Sequence, residues 1–240
     1  MRDSLPVTIY ACDALRAVTG DTIRPGGCEL TQIAVDFCGL QAGCRLLDVG
    51  CGTGVSVEFL IKEYKLAAKG IDPSVKMLEL GTKRSAGLPI SQGRAERLDF
   101  KDQSIDVILS ECCFSHYEGI HQALREFYRV LADKGWLIIS DLYIRQAKEN
   151  KEYVATAGIH GLFKEIDHVI RDLAAYGFEP VLLEDHTDKL KKLYIDLILK
   201  YGSLAHFWEL DCQSCTKCSL KDVHKNARLG YYLLIAKKAA

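Results

Sequence analysis

A glycine-rich turn follows the first apolar run of the chain. Leu46 to Val49 is short and mostly apolar, and Gly50, Gly52 and Gly54 follow at alternate positions before a segment with helical spacing. A strand, a glycine turn and a helix in this order form the start of a βαβ unit. Glycine permits a tight turn and close approach of a ligand, and the next helix begins with unpaired N–H groups. The stretch therefore predicts a ligand-binding loop.

The glycine spacing distinguishes between ligands. A dinucleotide-binding loop has the pattern G-x-G-x-x-G, whereas Val55 occupies the position of its third glycine here. A carboxylate at Asp48 would repel a pyrophosphate but suits a cationic amino-acid group. A glycine turn without a ligand and a nicotinamide enzyme remain as alternatives.

The pattern D-x-G-x-G-x-G resembles motif I of the class I S-adenosylmethionine (SAM) methyltransferases. The resemblance implies that a few residues of this stretch hold the methionine part of SAM. They are Asp48, Gly50, Cys51, Gly52 and Gly54.

A second acidic residue follows the next predicted strand, 67–71. Asp72 lies 18 positions after Gly54, and a carboxylate at such a strand end can bind both ribose hydroxyls. Pro73 begins the following helix, and Met77 lies one turn further on. We expect Asp72 and Pro73 at the cofactor, with Met77 against the adenine or, alternatively, in the core.

The segment after the short third strand, 89–92, has the pattern G-x-A-E-x-L-x-F. It resembles the adenine loop of the same methyltransferases, which often carries an acid where Arg94 stands in this chain. The resemblance implies that Ala95 and Glu96 contact the adenine instead.

The fourth predicted strand, 105–110, ends in Glu111 and Cys112, and His116 follows. Ligands of open α/β sheets bind at the carboxyl ends of the strands. We therefore expect Glu111, Cys112 and His116 to line the acceptor side, with Glu111 also at the cofactor. His116 is a candidate general base, although a structural role is an equal alternative.

The helix 119–131 and the strand 136–141 resemble the corresponding passage of ubiquinone-biosynthesis and arsenite methyltransferases. In such enzymes the N-terminal segment often folds over the cofactor. The resemblance makes Tyr10 and Arg24 candidate lid residues that bind the cofactor. An ordinary surface turn is the alternative for this segment.

Ten cysteines without an export signal favour reduced thiols, metal ligands or reactive sites over a disulfide scaffold. Cys212, Cys215 and Cys218 have C-x-x-C-x-x-C spacing, so we expect a metal site there that takes a fourth ligand from elsewhere. Thiophilic-substrate binding, redox pairing and no role at all remain open. Arsenite methyltransferases carry a cysteine at the position of Cys112, which suggests a thiophilic-metalloid substrate.

Charge and hydropathy exclude some partners. The formal net charge is −1, so the chain lacks the basic character of a nucleic-acid-binding protein. No apolar run approaches the roughly 18 residues of a membrane span, and no signal pattern is seen at the N-terminus. We expect a cytoplasmic protein without nucleic-acid or membrane partners, and the sequence leaves its oligomeric state open.

The remaining periodicity predicts a helix over 163–176, a sixth strand over 178–184, a helix over 190–204 and a last strand over 230–236. We expect an α/β fold: a Rossmann-like, doubly wound, seven-stranded sheet, mostly parallel with an antiparallel last strand. The expected divisions are an N-terminal lid (1–30), a SAM-binding core (31–185), a helical, cysteine-containing insert (186–228) and the last strand (229–240).

The sequence thus predicts a methyltransferase that moves a methyl group from SAM to a small-molecule acceptor and releases S-adenosylhomocysteine (SAH). Two alternatives remain. One is methylation of arsenite or another thiophilic metalloid through Cys112 and the C-terminal cysteines. The other is a SAM-binding module with a cysteine-ligated metal and no methyl transfer.

Overall fold

The computed structural model describes residues 13–147, 164–211 and 227–239. These residues form one seven-stranded sheet of order β3-β2-β1-β4-β5-β7-β6. The strands are β1 (Arg45–Val49), β2 (Ala67–Asp72), β3 (Ile90–Gln92), β4 (Ile105–Glu111), β5 (Leu131–Ala147), β6 (Phe178–Asp185) and β7 (Ala227–Lys238).

The first five strands are parallel to one another, and β7 is antiparallel to both of its neighbours. The predicted α/β fold with an antiparallel last strand is therefore confirmed. Parallel strands place their carboxyl ends at one edge of the sheet, and strand order reverses between β1 and β4. Ligands of open α/β sheets bind at such a point.

Helices cover both faces of the sheet. They are α1 (Asp13–Thr19), α2 (Glu29–Cys38), α3 (Val55–Tyr64), α4 (Val75–Arg84), α5 (Ile120–Val130), α6 (Ile166–Ala175), α7 (Thr187–Tyr201) and α8 (Leu204–Asp211). Alternate residues of one strand enter opposite layers of the core. Leu46 packs with α2, α3 and α7, whereas Leu47 packs with α5 and α6. This period of two explains why buried parallel strands have continuous apolar runs.

Two helix starts position the ligand edge of the sheet. Gly54 caps α3 with a φ of +73°, and a Cβ there would lie 2.9 Å from Cγ2 of Ile90. Only glycine meets both conditions, because a left-handed backbone and a close neighbour disfavour any side chain. The hydroxyl of Ser74 caps α4 by accepting from the Met77 N–H at 3.4 Å.

Strand β5 is longer than the sequence indicates. The predicted strand covers 136–141, but β5 begins directly after α5 and continues to Ala147. Residues 144–147 therefore extend the strand beyond its predicted end, although Arg145 and Gln146 are polar. There the main chain pairs with β7, for example Ile144 with Leu229, so cross-strand hydrogen bonds outweigh the polar composition.

The insert before the last strand is helical, as predicted, over α7 and α8. Helix α7 packs against α1, where the Tyr201 hydroxyl donates to the Ala14 carbonyl at 2.9 Å. Lys200 Nζ donates to the Ala17 carbonyl at 2.6 Å. Among the helices that the structure describes, none combines the length and apolar character needed to cross a bilayer.

Candidate functional site

A cleft of about 890 Å³ opens at the carboxyl ends of β1, β2 and β4. The turn before α2 and the loops after β1, β2, β3 and β4 line it. Among the predicted site residues that the structure describes, Gly54 caps α3 outside the lining and the others line the cleft. These are Arg24, Asp48, Gly50, Cys51, Gly52, Asp72, Pro73, Met77, Ala95, Glu96, Glu111, Cys112 and His116.

The loop after β1 presents bare backbone to the cleft. Gly50 and Gly52 have φ values of +85° and +54°. A Cβ on Gly50 would lie 2.6 Å from Sγ of Cys113, so this position excludes a side chain. The N–H groups of Gly50 and Cys51 donate to the Ile71 carbonyl at 2.8 and 3.0 Å, which fixes the loop to β2.

Asp72 joins the end of β2 to this loop. Its Oδ2 accepts from the Gly52 N–H at 2.9 Å, and its Oδ1 accepts from the Ser74 N–H at 2.8 Å. Burial raises the pKa of Asp72, and the two N–H donors oppose that rise. Each carboxylate oxygen has a second acceptor site, so the group can bind a ligand as well as the loop.

A second carboxyl group, Asp48, is buried at the base of the cleft. Burial raises its pKa well above the usual range, Glu111 raises it further, and Arg24 lowers it. This part of the cleft therefore favours a positively charged occupant, which would stabilise the ionised form of Asp48.

Arg24 and Glu111 form a buried ion pair, with 3.0 Å between Nη1 and Oε2. Ser56 and Thr31 lie between them. Each hydroxyl accepts from Arg24, at 2.8 and 2.9 Å, and donates to Glu111, at 2.7 and 2.8 Å. The ion pair connects the N-terminal turn to the end of β4.

The loop after β3 is held by its own charged side chains. Glu96 Oε1 accepts from the Gly119 N–H at 3.2 Å. Arg94 Nη2 donates to Glu118 Oε2 at 2.7 Å, and its Nε lies 3.4 Å from Glu96 Oε2. Arg94, which replaces the acid of the family pattern, therefore pairs with two acidic residues at the rim of the cleft.

His116 ends a short 3₁₀ turn, Phe114–His116, after β4. Burial lowers the pKa of His116 to about 4, so the ring is neutral near pH 7. Asp141 at β5 holds this turn, because its carboxylate accepts from the Ser115 N–H at 2.7 Å and the Ser115 hydroxyl at 3.2 Å. Burial raises the pKa of Asp141 to about 6.

In the part of the chain that the structure describes, three thiols line the cleft. Burial raises the pKa of Cys112 to about 12 and the pKa values of Cys51 and Cys113 well above the usual range. The Cys112 thiol donates to the Tyr231 hydroxyl at 3.5 Å. Burial therefore favours the protonated form of these thiols.

The metal site predicted at the C-terminal cysteines lies outside the residues that the structure describes. Within residues 13–147, 164–211 and 227–239, no group of three or more His, Cys, Asp or Glu side chains is arranged to hold a metal ion. Cys212, Cys215 and Cys218 lie outside the described residues, as does Tyr10 of the predicted lid.

The sequence did not single out Thr31, Ser56 or Asp141 as site residues. Thr31 and Ser56 lie in the first turns of α2 and α3, and their role depends on a contact between positions 24 and 111. Local pattern gives no signal for such a contact. Asp141 carried a usable signal, because it follows a buried apolar strand at the ligand edge.

The strand order, the glycine loop and the carboxylate at the end of β2 define a nucleoside-binding α/β domain of the methyltransferase class. Residues 47–139 match the family model described as a methyltransferase domain. The chain belongs to the class I SAM-dependent methyltransferases.

Named relatives and solved structures agree with this assignment. Phosphoethanolamine N-methyltransferase 3 of Arabidopsis thaliana is 30% identical over 182 residues, which cover 71% of this chain and 36% of that enzyme. The chain thus spans little more than a third of this relative. Phosphoethanolamine N-methyltransferase 2 of Haemonchus contortus, solved with phosphomonomethylethanolamine and SAH, has a TM-score of 0.77 at 19% identity, covering 97% of this chain and 58% of that chain.

A match over full length shows the same fold. The geranyl diphosphate C-methyltransferase of Streptomyces coelicolor has a TM-score of 0.66 at 15% identity, and the match covers 98% of this chain and 100% of that chain.

Proposed function

We propose that this protein binds SAM in the cleft and transfers its methyl group to a small-molecule acceptor. The observation that carries the proposal is the hydrogen bond between the Gly52 N–H and Asp72 Oδ2, at 2.9 Å. It joins the glycine loop and the carboxylate of β2 into one binding surface, with Asp48 at its base. The family membership of residues 47–139 supports the same activity.

The cleft fits the cofactor part by part. The bare backbone at Gly50 and Gly52 leaves room for the methionine moiety, and buried Asp48 suits its positive charge. Asp72 offers free acceptor sites to the ribose hydroxyls. We place the adenine beside Met77, Ala95 and Glu96, which also line the cleft.

Pro73 and Cys51 complete the proposed cofactor contacts from the loops after β2 and β1. Arg24 and Tyr10 stay predictions as residues of the cofactor lid. The structure describes Arg24 at the cleft wall, and Tyr10 lies outside the described residues.

Bound SAM would supply a methyl carbon already activated by a positively charged sulfur. The protein then has to orient the acceptor and accept its proton. His116 lines the cleft and is neutral near pH 7, so its ring can take a proton from an acceptor N–H or O–H. Glu111 and Cys112 lie beside it and would shape the acceptor pocket.

We infer that the acceptor is a small amine. The 30% identity to a plant phosphoethanolamine N-methyltransferase supports this class. Among the residues that the structure describes, six acidic and three basic ones line the cleft, a balance that favours a cationic group. The acidic residues are Asp21, Asp48, Asp72, Glu96, Glu111 and Glu118, and the basic ones are Arg24, Lys76 and Arg94.

Calorimetric titration with SAH tests the proposal. We expect wild-type protein to bind SAH and Asp72→Ala to bind it at least tenfold more weakly, because the ribose loses its carboxylate. Asp106→Ala is the matched control, since this aspartate pairs with Arg45 at the opposite end of the sheet. Absence of SAH binding to the wild type, or equal loss in both variants, contradicts the proposal.

Methylation of a thiophilic metalloid stays a separate prediction of the sequence and is not part of this proposal. The raised pKa of Cys112, about 12, disfavours the thiolate that a metalloid would need. The SAM-binding module with a cysteine-ligated metal depends on Cys212, Cys215 and Cys218, outside the described residues. Elemental analysis of protein purified without oxygen tests the metal site. Binding of trivalent arsenic that is lost in Cys112→Ser would support the metalloid substrate, and unchanged binding would exclude it.

A further inference from the structure

The guanidinium of Arg24 is committed to the protein. Its Nε donates to the Gly27 carbonyl at 2.8 Å, its Nη1 to the Ser56 hydroxyl at 2.8 Å and its Nη2 to the Thr31 hydroxyl at 2.9 Å. The side chain is only 7% exposed. Since every guanidinium nitrogen has a protein acceptor, the group is held in one orientation.

Two hydroxyl bridges connect this guanidinium to Glu111. The Thr31 hydroxyl donates to Glu111 Oε1 at 2.8 Å, and the Ser56 hydroxyl donates to Oε2 at 2.7 Å. An arginine can only donate, so each hydroxyl must accept from Arg24 and point its single proton at the carboxylate. Both oxygens of Glu111 therefore accept a hydrogen bond, so the carboxylate is held in one orientation.

We propose that Arg24 is a positioning residue that, through Thr31 and Ser56, fixes the orientation of the Glu111 carboxylate in the wall of the cofactor cleft. Glu111 lines the cleft next to the loop after β1. The fixed carboxylate accepts from the ammonium of the amino-acid part of the ligand. This inference rests on the proposed function, and it makes Arg24 act on the cofactor through Glu111.

Burial explains why the bridges matter. Glu111 is 3% exposed, and a buried carboxylate is stable only when it is paired and hydrogen-bonded. Loss of a bridge frees one carboxylate oxygen and loosens the geometry that the ligand meets. The other titratable groups that face the pair are Cys28 and Cys112, which lie near it in the chain, Asp48 on β1 and Tyr231 on β7.

Thr31 gives the sharpest test, because it is 1% exposed and is not one of the described residues that line the cleft. Thr31→Val keeps the shape and removes one bridge. We expect its affinity for SAH to fall three- to tenfold by calorimetry. Thr82→Val is the control: its hydroxyl donates to the Leu78 carbonyl on an exposed face, and its affinity should equal that of the wild type.

A double-mutant cycle separates positioning from direct contact. We expect Arg24→Met and Glu111→Gln each to weaken SAH binding at least tenfold. The double variant removes both charges of the pair. Its affinity for SAH should lie within about threefold of that of the single variant that binds SAH less tightly. If Arg24→Met does not fold, the same cycle is run with Thr31→Val and Glu111→Gln.

If the wild type binds SAH, three results would overturn the inference. The first is a double variant whose loss of SAH affinity equals the product of the two single losses, and the second is unchanged SAH affinity in Glu111→Gln. The third is a Thr31→Val variant that loses thermal stability but keeps its SAH affinity. The last would show a purely structural bridge. A wild-type protein that binds no SAH overturns the proposed function itself, which is a separate result.

Discussion

Two carboxyl groups and one guanidinium share the wall of the cleft, and their protonation decides what the cleft can bind. The carboxylate of Glu111 is held in place by its two hydroxyl donors and Arg24. Burial and Glu111 raise the pKa of Asp48, so a cation nearby would favour its ionised form. A ligand that carries both a sulfonium and an ammonium group would supply the positive charges that these carboxyl groups favour.

His116 supports a prediction about stability. Its pKa falls from an ordinary 6.5 to about 4 because burial disfavours the charged ring. The folded state thus binds this proton less readily than the unfolded chain does. The contribution of the neutral His116 ring to the free energy of unfolding is therefore complete above pH 6.5. It is lost as the pH falls from 6.5 towards 4.

Urea unfolding at pH 7 and pH 4.5 measures this effect. Wild-type protein should lose about 2 to 3 kcal/mol between these pH values through His116 alone. His116→Asn should lose correspondingly less over the same range. Equal losses in the two proteins would show that His116 titrates normally in the folded state.

Among the elements, the loop after β1 was predictable and the N-terminal turn was not. A strand, three glycines and a helix are contiguous in sequence, so their physical roles follow from local rules. Arg24 meets Glu111 across 87 positions of sequence through two hydroxyls on different helices. The end of β5 likewise depends on pairing with β7, which local composition does not encode.

Helix α7 connects the N-terminal segment to the core and carries a prediction of its own. Leu197 is 2% exposed and belongs to the same core cluster as Leu15 of α1 and Leu30 of α2. Leu197→Ala should lower the free energy of unfolding by about 2 to 5 kcal/mol, since it leaves a cavity between these helices.

Leu199 is the matched control, because it lies on the same helix and is 79% exposed. Leu199→Ala should change the free energy of unfolding by less than about 0.5 kcal/mol in the same urea experiment. Similar losses in both variants would mean that α7 does not pack on the N-terminal segment as described.

At the scale of the whole molecule, the order of the strands assembles the site. Strands β1, β2 and β4 are adjacent and parallel, so Asp48, Asp72 and Glu111 reach one edge although they are far apart in sequence. The sequence predicted this assembly because each acid follows an apolar run. It could not predict the bridges that fix them, which depend on side-chain packing between helices.

Hydrogen–deuterium exchange with and without SAH tests the central claim most directly, because it locates the ligand. We predict that SAH slows exchange in the loops after β1, β2, β3 and β4, at 48–56, 72–77, 93–96 and 111–116, and leaves β6 and α6 unchanged. No protection by saturating SAH, or protection confined to segments away from Gly52 and Asp72, would contradict the account.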